Sequence, residues 1–326
     1  MENVISVKNL CREYISTQGI VKREKKTIKA LNNISFDIKK GEIFGLLGQN
    51  GAGKTTTIKI LITLLAPTSG QSKVLGYNTF GEEKKIRSRI NFVFGGERCL
   101  YWRLSARDNL IYFADLYKID KKVRDNRIND ILELVGLTDR ADDKVETYSK
   151  GMKQKLQIAR GLINDPEILF LDEPTIGLDP ISALELRKII KMLSSQGKTV
   201  LLTTHYMYEA DELCDRIAIM NKGVIISLDT PKNLKKYNKD ISVLEVKTLG
   251  VSDDEINQLK ELEDTKMVSV KQDEQIQILE IQCNDISSIT QKVLNILNNT
   301  KVLDINSRES SLEDVYIKLI GGRDNG

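Results

Sequence analysis

The 326-residue sequence predicts an α/β fold with a mainly parallel sheet, a helical insert and a C-terminal α+β domain. Three observations carry that prediction. Apolar strand runs alternate with helix-period segments as far as residue 230, residues from about 98 to 163 read as helix alone, and the texture changes after Pro231. With 40% hydrophobic and 29% charged residues and only 5 prolines, the composition disfavours disordered and collagen-like classes. Its apolar runs, such as "IKILITLLAP", fall well short of the ~20 residues needed to span a bilayer.

Each element has its own local reason. "ISFDI" (Ile34 to Ile38) alternates with period two, and "EIFGLLG" is a short buried-strand run ending in glycines. "TTTIKILITLL" then reads as a helix, and "INFVF" (Ile90 to Phe94) as a strand before a Gly-Gly break. In the helical insert, Ile128, Ile131, Leu132 and Val135 recur at i, i+3, i+4 and i+7, with Gly136 as the stop. The α/β pattern resumes with "EILFLD", a helix from Ser182 to Ser195, the strand "TVLLTT", a helix through "YEADELC", and the strands "RIAIM" and "VIIS". Such a sheet binds ligands at the carboxyl ends of its strands, where His205, the chain's single histidine, falls. A lone histidine is ordinarily a packed or solvated side chain, and its position at a strand end argues for more.

Beyond residue 230, "ISVLEV", a helix near Asp253 to Leu262, "TKMVSVK", "IQILEIQ", a helix from Asp285 to Leu297 and "KVLDI" follow the order β-α-β-β-α-β, the split βαβ of ferredoxin-like domains. Ser311 and Asp314 have capping-box spacing ahead of a last helix. The region has no paired carboxylates, histidine or clustered cysteines, so residues 231–326 read as a regulatory or interaction domain. Residues 1–230 read as a separate α/β domain.

Charge and cysteines add two bounds. Residues 226–326 carry 13 basic and 18 acidic side chains, so the net charge of +3 comes from the first part of the chain. Its basic run "VKREKKTIK" (Val21 to Lys29) reads as a solvated loop rather than a site for anionic lipid headgroups or phosphate. Cys11, Cys99, Cys214 and Cys283 are too dispersed for a metal or redox motif. The opening "MENVISVKNL" lacks a basic n-region and an apolar h-region, so the cytoplasm is expected.

Chemistry concentrates in two motifs. Gly48, Gln49, Asn50, Gly51, Ala52, Gly53, Lys54, Thr55 and Thr56 fit the phosphate-loop pattern between a predicted strand and a predicted helix. Backbone N–H groups and the helix N-terminus cradle phosphates there, Lys54 reaches the β/γ oxygens, and the Thr55 hydroxyl can ligate Mg²⁺. "ILFLDEP" delivers Asp172 to the metal side, while Glu173 can polarise a water for in-line attack. Two carboxylates in series favour hydrolysis over transfer to a bound hydroxyl.

With these motifs and their order, residues 1–230 resemble the ATPase subunits of ABC transporters, which are P-loop NTPases. "YSKGMKQKLQIARGL" is similar to the family signature, with Ser149 and Gly151 at its serine and second glycine. Lys150 and Met152 replace its first glycine and its glutamine. The resemblance implies a homodimer or heterodimer of ATPase subunits, in which the signature of one covers ATP held by the other. It also implies that Asp179 in "IGLDP" communicates between the two sites, that His205 in "TTH" contacts the γ-phosphate and the attacking water, and that Tyr14 stacks on adenine. Gly95 and Gly96 stand where the family places a Mg²⁺-ligating glutamine, and Glu97 is the nearest metal-capable side chain. The alternative is that the glycines simply let the loop close on the nucleotide.

These implications make ATP and Mg²⁺ the expected cofactors and polytopic membrane permease subunits the expected partners. No nucleic-acid role is expected, and the protein would sit peripherally at the cytoplasmic face of the cell membrane. The ending "SLEDVYIKLIG" resembles subunits paired with permeases for drugs or other hydrophobic compounds. Alternatives are a soluble non-transport ABC ATPase and a nucleotide-gated regulatory module.

Overall fold

The computed structural model describes residues 2–18, 24–95, 100–236, 242–263, 265–273, 275–283, 286–308 and 311–321. Two compact units divide the chain, Met1–Thr230 and Pro231–Gly326.

The first unit opens with a long hairpin in which β1 (Asn3–Gln18) pairs antiparallel with β2 (Glu24–Lys39). The described part of "VKREKKTIK", expected as a solvated loop, is therefore strand. Tyr14 stands opposite Ile28 and Ile15 opposite Thr27, aromatic and β-branched pairs that suit a two-stranded ribbon. The basic residues around them masked that alternation; Val21, Lys22 and Arg23 lie outside the described residues.

Next comes β3 (Ile43–Leu47), buried along its whole length because parallel strands flank it on both edges. Helix α1 (Lys54–Leu61) follows the phosphate loop and is shorter than the sequence pattern suggests. It stops because Thr63 turns to a φ of +66°, where its Oγ1 accepts from Arg87 Nε at 2.8 Å. Strands β4 (Ser69–Val74) and β5 (Tyr77–Asn78) join β1 and β2 in an antiparallel sheet of order β2-β1-β4-β5 that the sequence reading did not foresee.

After α2 (Glu83–Arg87) and β6 (Ile90–Val93) the helical insert runs through α3 (Ala106–Leu116), α4 (Lys121–Leu134) and α5 (Lys150–Leu162). Ser105 caps α3 and Asp120 caps α4. Gly136, at a φ of +66°, ends α4 in a Schellman motif: its N–H reaches Glu133 O, and that of Leu137 reaches Leu132 O. The apolar stripe buries Ile128, Ile131, Leu132 and Val135, as its spacing predicted.

The central sheet is completed by β7 (Ile168–Asp172), β8 (Thr199–Thr204), β9 (Arg216–Asn221) and β10 (Val224–Asp229), with α6 (Pro180–Ser195) and α7 (Met207–Leu213) between them. Its order is β10-β9-β3-β8-β7-β6, parallel except for the β9–β10 pair. This register aligns Leu47 with Thr204 and Asp172 with Thr203, so the ends of β3, β7 and β8 form one edge.

The second unit begins with α8 (Pro231–Lys236) and then builds β11 (Ser242–Leu249), α9 (Asp253–Glu261), β12 (Thr265–Asp273), β13 (Ile276–Cys283), α10 (Ile286–Ile296) and β14 (Lys301–Arg308). The sheet is antiparallel with order β12-β13-β11-β14, the arrangement that a split βαβ produces. A final helix, α11 (Leu312–Gly321), starts at Ser311, whose amide donates to Asp314 Oδ2 at 2.7 Å while its Oγ accepts from the Asp314 amide at 3.3 Å. Aspartate thus closes the capping box usually closed by glutamate.

Candidate functional site

The phosphate loop is shaped by what lies behind it. A Cβ at Gly48 would stand 2.4 Å from Met220 O, and one at Gly53, whose φ is +106°, would stand 2.8 Å from Ala30 O. Side chains are excluded at both positions, so the loop's backbone is pressed against its support. Lys54, almost fully buried, donates from Nζ to Gly48 O at 2.6 Å and Gln49 O at 3.2 Å. Burial pushes its pKa down, while Glu173 and Asp172 pull it back up.

At the ends of β7 and β8 a second group of side chains converges. Thr203 Oγ1 donates to Asp172 Oδ1 at 2.6 Å, and Thr55 Oγ1 reaches Asp172 Oδ1 and Oδ2 at 3.3 and 3.4 Å. Glu173 Oε1 lies 3.1 Å from His205 Nδ1 and 3.7 Å from Lys54 Nζ. An ionised carboxylate only accepts, so Nδ1 carries the proton at that contact. Glu173 is held in left-handed backbone, with a φ of +49°, by an N–H that reaches both Thr203 O and Thr203 Oγ1 at 3.1 Å. A non-glycine residue in that region is strained, and here the strain aims the carboxylate at the loop.

Two adjoining cavities frame these groups. One, of about 350 Å³, is lined by the loop from Asn50 to Thr56 together with Ile28, Lys29, Ala30, Lys222 and Glu173. The other, of about 520 Å³, is lined by Asn50, Thr55, Lys59, Phe94, Gly95, Asp172, Glu173 and Ile176. Asn50, Thr55 and Glu173 belong to both, so a polyphosphate can run from the first to the second. Among the described residues no group of three or more His, Cys, Asp or Glu side chains could hold a metal. Thr55 and Asp172 do offer a hydroxyl and a carboxylate, hard oxygens of the kind Mg²⁺ takes alongside phosphates and water.

Other expected residues are placed elsewhere. Ser149 caps α5 by accepting from the Met152 amide at 3.2 Å, and a Cβ at Gly151 would lie 2.4 Å from Ser182 Oγ. Asp179 caps α6 through the amides of Ile181 and Ser182 and accepts from Ser182 Oγ at 2.6 Å. Those hydrogen bonds, the hydroxyl's first, hold its carboxyl below the usual range. Ser149, Gly151 and Asp179 therefore gather around Ser182, and none of them lines either cavity. Tyr14 lines neither; the Arg12 guanidinium lies 4.9 Å from its ring centroid, while Ile28 opposite it does line the first cavity. Gly95 has a steric reason to be glycine, since a Cβ there would stand 2.6 Å from Asp172 O. Gly96 and Glu97 lie outside the described residues. Sequence reasoning missed Thr203 and Lys222 as neighbours of the site and set Lys29 aside as part of a solvated basic run, although Thr203 opens the quoted "TTH".

This edge, where a phosphate loop enters a helix and a neighbouring strand end presents carboxylates, defines a nucleoside triphosphatase of the phosphate-loop class. A family model described as ABC transporter matches residues 31–176. The linearmycin resistance ATP-binding protein of Bacillus subtilis (strain 168) is 35% identical over 303 residues, covering 91% of this chain and 94% of that protein. The bacitracin transport ATP-binding protein of Bacillus licheniformis is 37% identical over 303 residues, covering 90% and 93%. A solved dimeric ATP-binding cassette in a post-hydrolysis state, bound to ADP and Pi, matches with a TM-score of 0.60 and 29% identity over 69% of this chain and 98% of its own. The chain belongs to the family of ABC transporter ATP-binding subunits, which bind and hydrolyse ATP.

Proposed function

We propose that this subunit powers export of drugs or other hydrophobic compounds through a separate polytopic permease, with hydrolysis carried by Glu173, His205 and Lys54. The contact of one Glu173 oxygen with both His205 and Lys54 is the observation that carries the catalytic part. In this reading the loop amides and Lys54 hold the β- and γ-phosphates, and Glu173 accepts a proton of the attacking water. His205, steadied through Nδ1, turns its other nitrogen to the γ-phosphate. Thr55 and Asp172 would hold Mg²⁺, which would draw charge off the phosphate oxygens. Ser149, Gly151 and Asp179 are assigned to the contact between two ATPase subunits, and Tyr14 to adenine.

Support for export comes from the relatives, whose names refer to linearmycin resistance and bacitracin transport. No helix among the described residues is long and apolar enough to cross a membrane, in keeping with a peripheral subunit. The helical insert exposes Tyr101, Trp102, Tyr112, Leu116 and Tyr117, an aromatic surface suited to a permease. The C-terminal unit is assigned a regulatory or interaction role.

The test is Glu173→Gln. ATP and Mg²⁺ should still bind, turnover should stop, and an ATP-bound dimer should accumulate in size-exclusion chromatography. Normal turnover in that variant would refute the catalytic assignment.

A further inference from the structure

Glu209, in α7, is 2% exposed and has no ion-pair partner among the described residues. Its Oε1 accepts from Thr175 Oγ1 at 2.8 Å, while its Oε2 is buried with no hydrogen-bond partner. The nearby Arg187 is engaged elsewhere, with Glu212 at 2.7 Å and the Tyr208 ring centroid at 5.3 Å. Burial pushes the Glu209 carboxyl up, against the pull of Thr204, Thr175, Arg187 and His205. A leucine among the buried neighbours Ala210 and Leu213 would avoid the desolvation that a carboxylate incurs. What the carboxylate adds is a link between two loops. Thr175 lies two residues beyond Glu173, and α7 starts two residues beyond His205, where Thr204 Oγ1 accepts from the Tyr206 amide at 3.0 Å.

We propose that Glu209 is a positioning residue for ATP hydrolysis: by tying the turn after Glu173 to the helix after His205, it keeps those two side chains in contact. The inference rests on the catalytic reading of Glu173 and His205. Its effect falls on turnover, because its hydrogen bond goes to Thr175 rather than to the phosphate loop that holds the nucleotide.

The test compares Glu209→Leu, Thr175→Val and Glu209→Gln in the full chain, measuring ATPase kinetics, thermal melting, and equilibrium binding of ADP and of ATP without Mg²⁺. Glu209→Leu and Thr175→Val should lower kcat by about tenfold or more while KM and both affinities stay within about twofold. Glu209→Gln, which still offers Thr175 an acceptor, should recover kcat to within about threefold of the parent. An unchanged kcat in Glu209→Leu would overturn the inference, as would parallel losses of kcat, affinity and melting temperature in all three variants. His205→Ala, run alongside, separates the two levels. If it hydrolyses ATP normally, the catalytic reading fails; if it is inactive while Glu209→Leu is fully active, only the role of Glu209 falls.

Discussion

Thr203 and Gly95 show what a single position does at this site. The Thr203 hydroxyl donates to Asp172 and also takes the Glu173 amide, so one side chain orients both carboxylates. Gly95 leaves room for the Asp172 carbonyl. For His205→Ala, nucleotide affinity should stay within about tenfold, or ~1.4 kcal/mol, while turnover falls far more, because in the proposed mechanism the ring meets the reacting phosphate rather than the loop that holds it. Parallel equilibrium binding and steady-state assays check this, and equal losses of ATP and ADP binding would contradict it. Residues of the phosphate loop were legible because their chemistry is contiguous in sequence. Thr203 and Glu209 were not, since their partners Asp172 and Thr175 lie 31 and 34 positions away; the β7–β8 register brings the first pair together, and the second meets where α7 packs by the turn after β7.

Helices and parallel strands were legible as elements because each buries a face or a whole run, and burial writes itself into hydrophobic spacing. The end of α4 was read from Ile128 to Gly136 for that reason. The β1–β2 ribbon was not, because beyond Tyr14, Ile15 and Ile28 the paired residues of its outer part are polar or charged in sequence and leave little apolar alternation to find. The hold of α11 on β14 should fail in acid. Arg308 reaches Asp314 at 2.6 Å through Nη1. Burial pushes the Asp314 carboxyl up, but Arg308 and Ser311 pull it further down, leaving it below its ordinary value. A depressed carboxylate stabilises above its unfolded pKa and loses that contribution as pH falls through the folded one, here below about pH 4. Thermal melts of the parent and Asp314→Asn should therefore differ near neutral pH, with the gap narrowing progressively as pH falls below about 4. A gap that persists in acid would refute the assignment.

Among the described residues, each unit has a hydrophobic core built from its own side chains. Every loop and strand end around the two cavities precedes Pro231. A chain ending at Thr230 should accordingly fold and bind ATP with affinity within about threefold of the parent. A soluble, monodisperse truncation unable to bind ATP would show that the site depends on the C-terminal unit. The backbone at Glu173 also has a bearing on laboratory evolution. Its left-handed φ of +49° costs ~1–3 kcal/mol in a residue with a Cβ and little in glycine. Glu173→Gly should melt at or above the parent's temperature even as it loses the carboxylate that faces His205 and Lys54. A library of this subunit screened for heat resistance alone would thus enrich silent motors, and only a screen that also demands turnover would keep the engine.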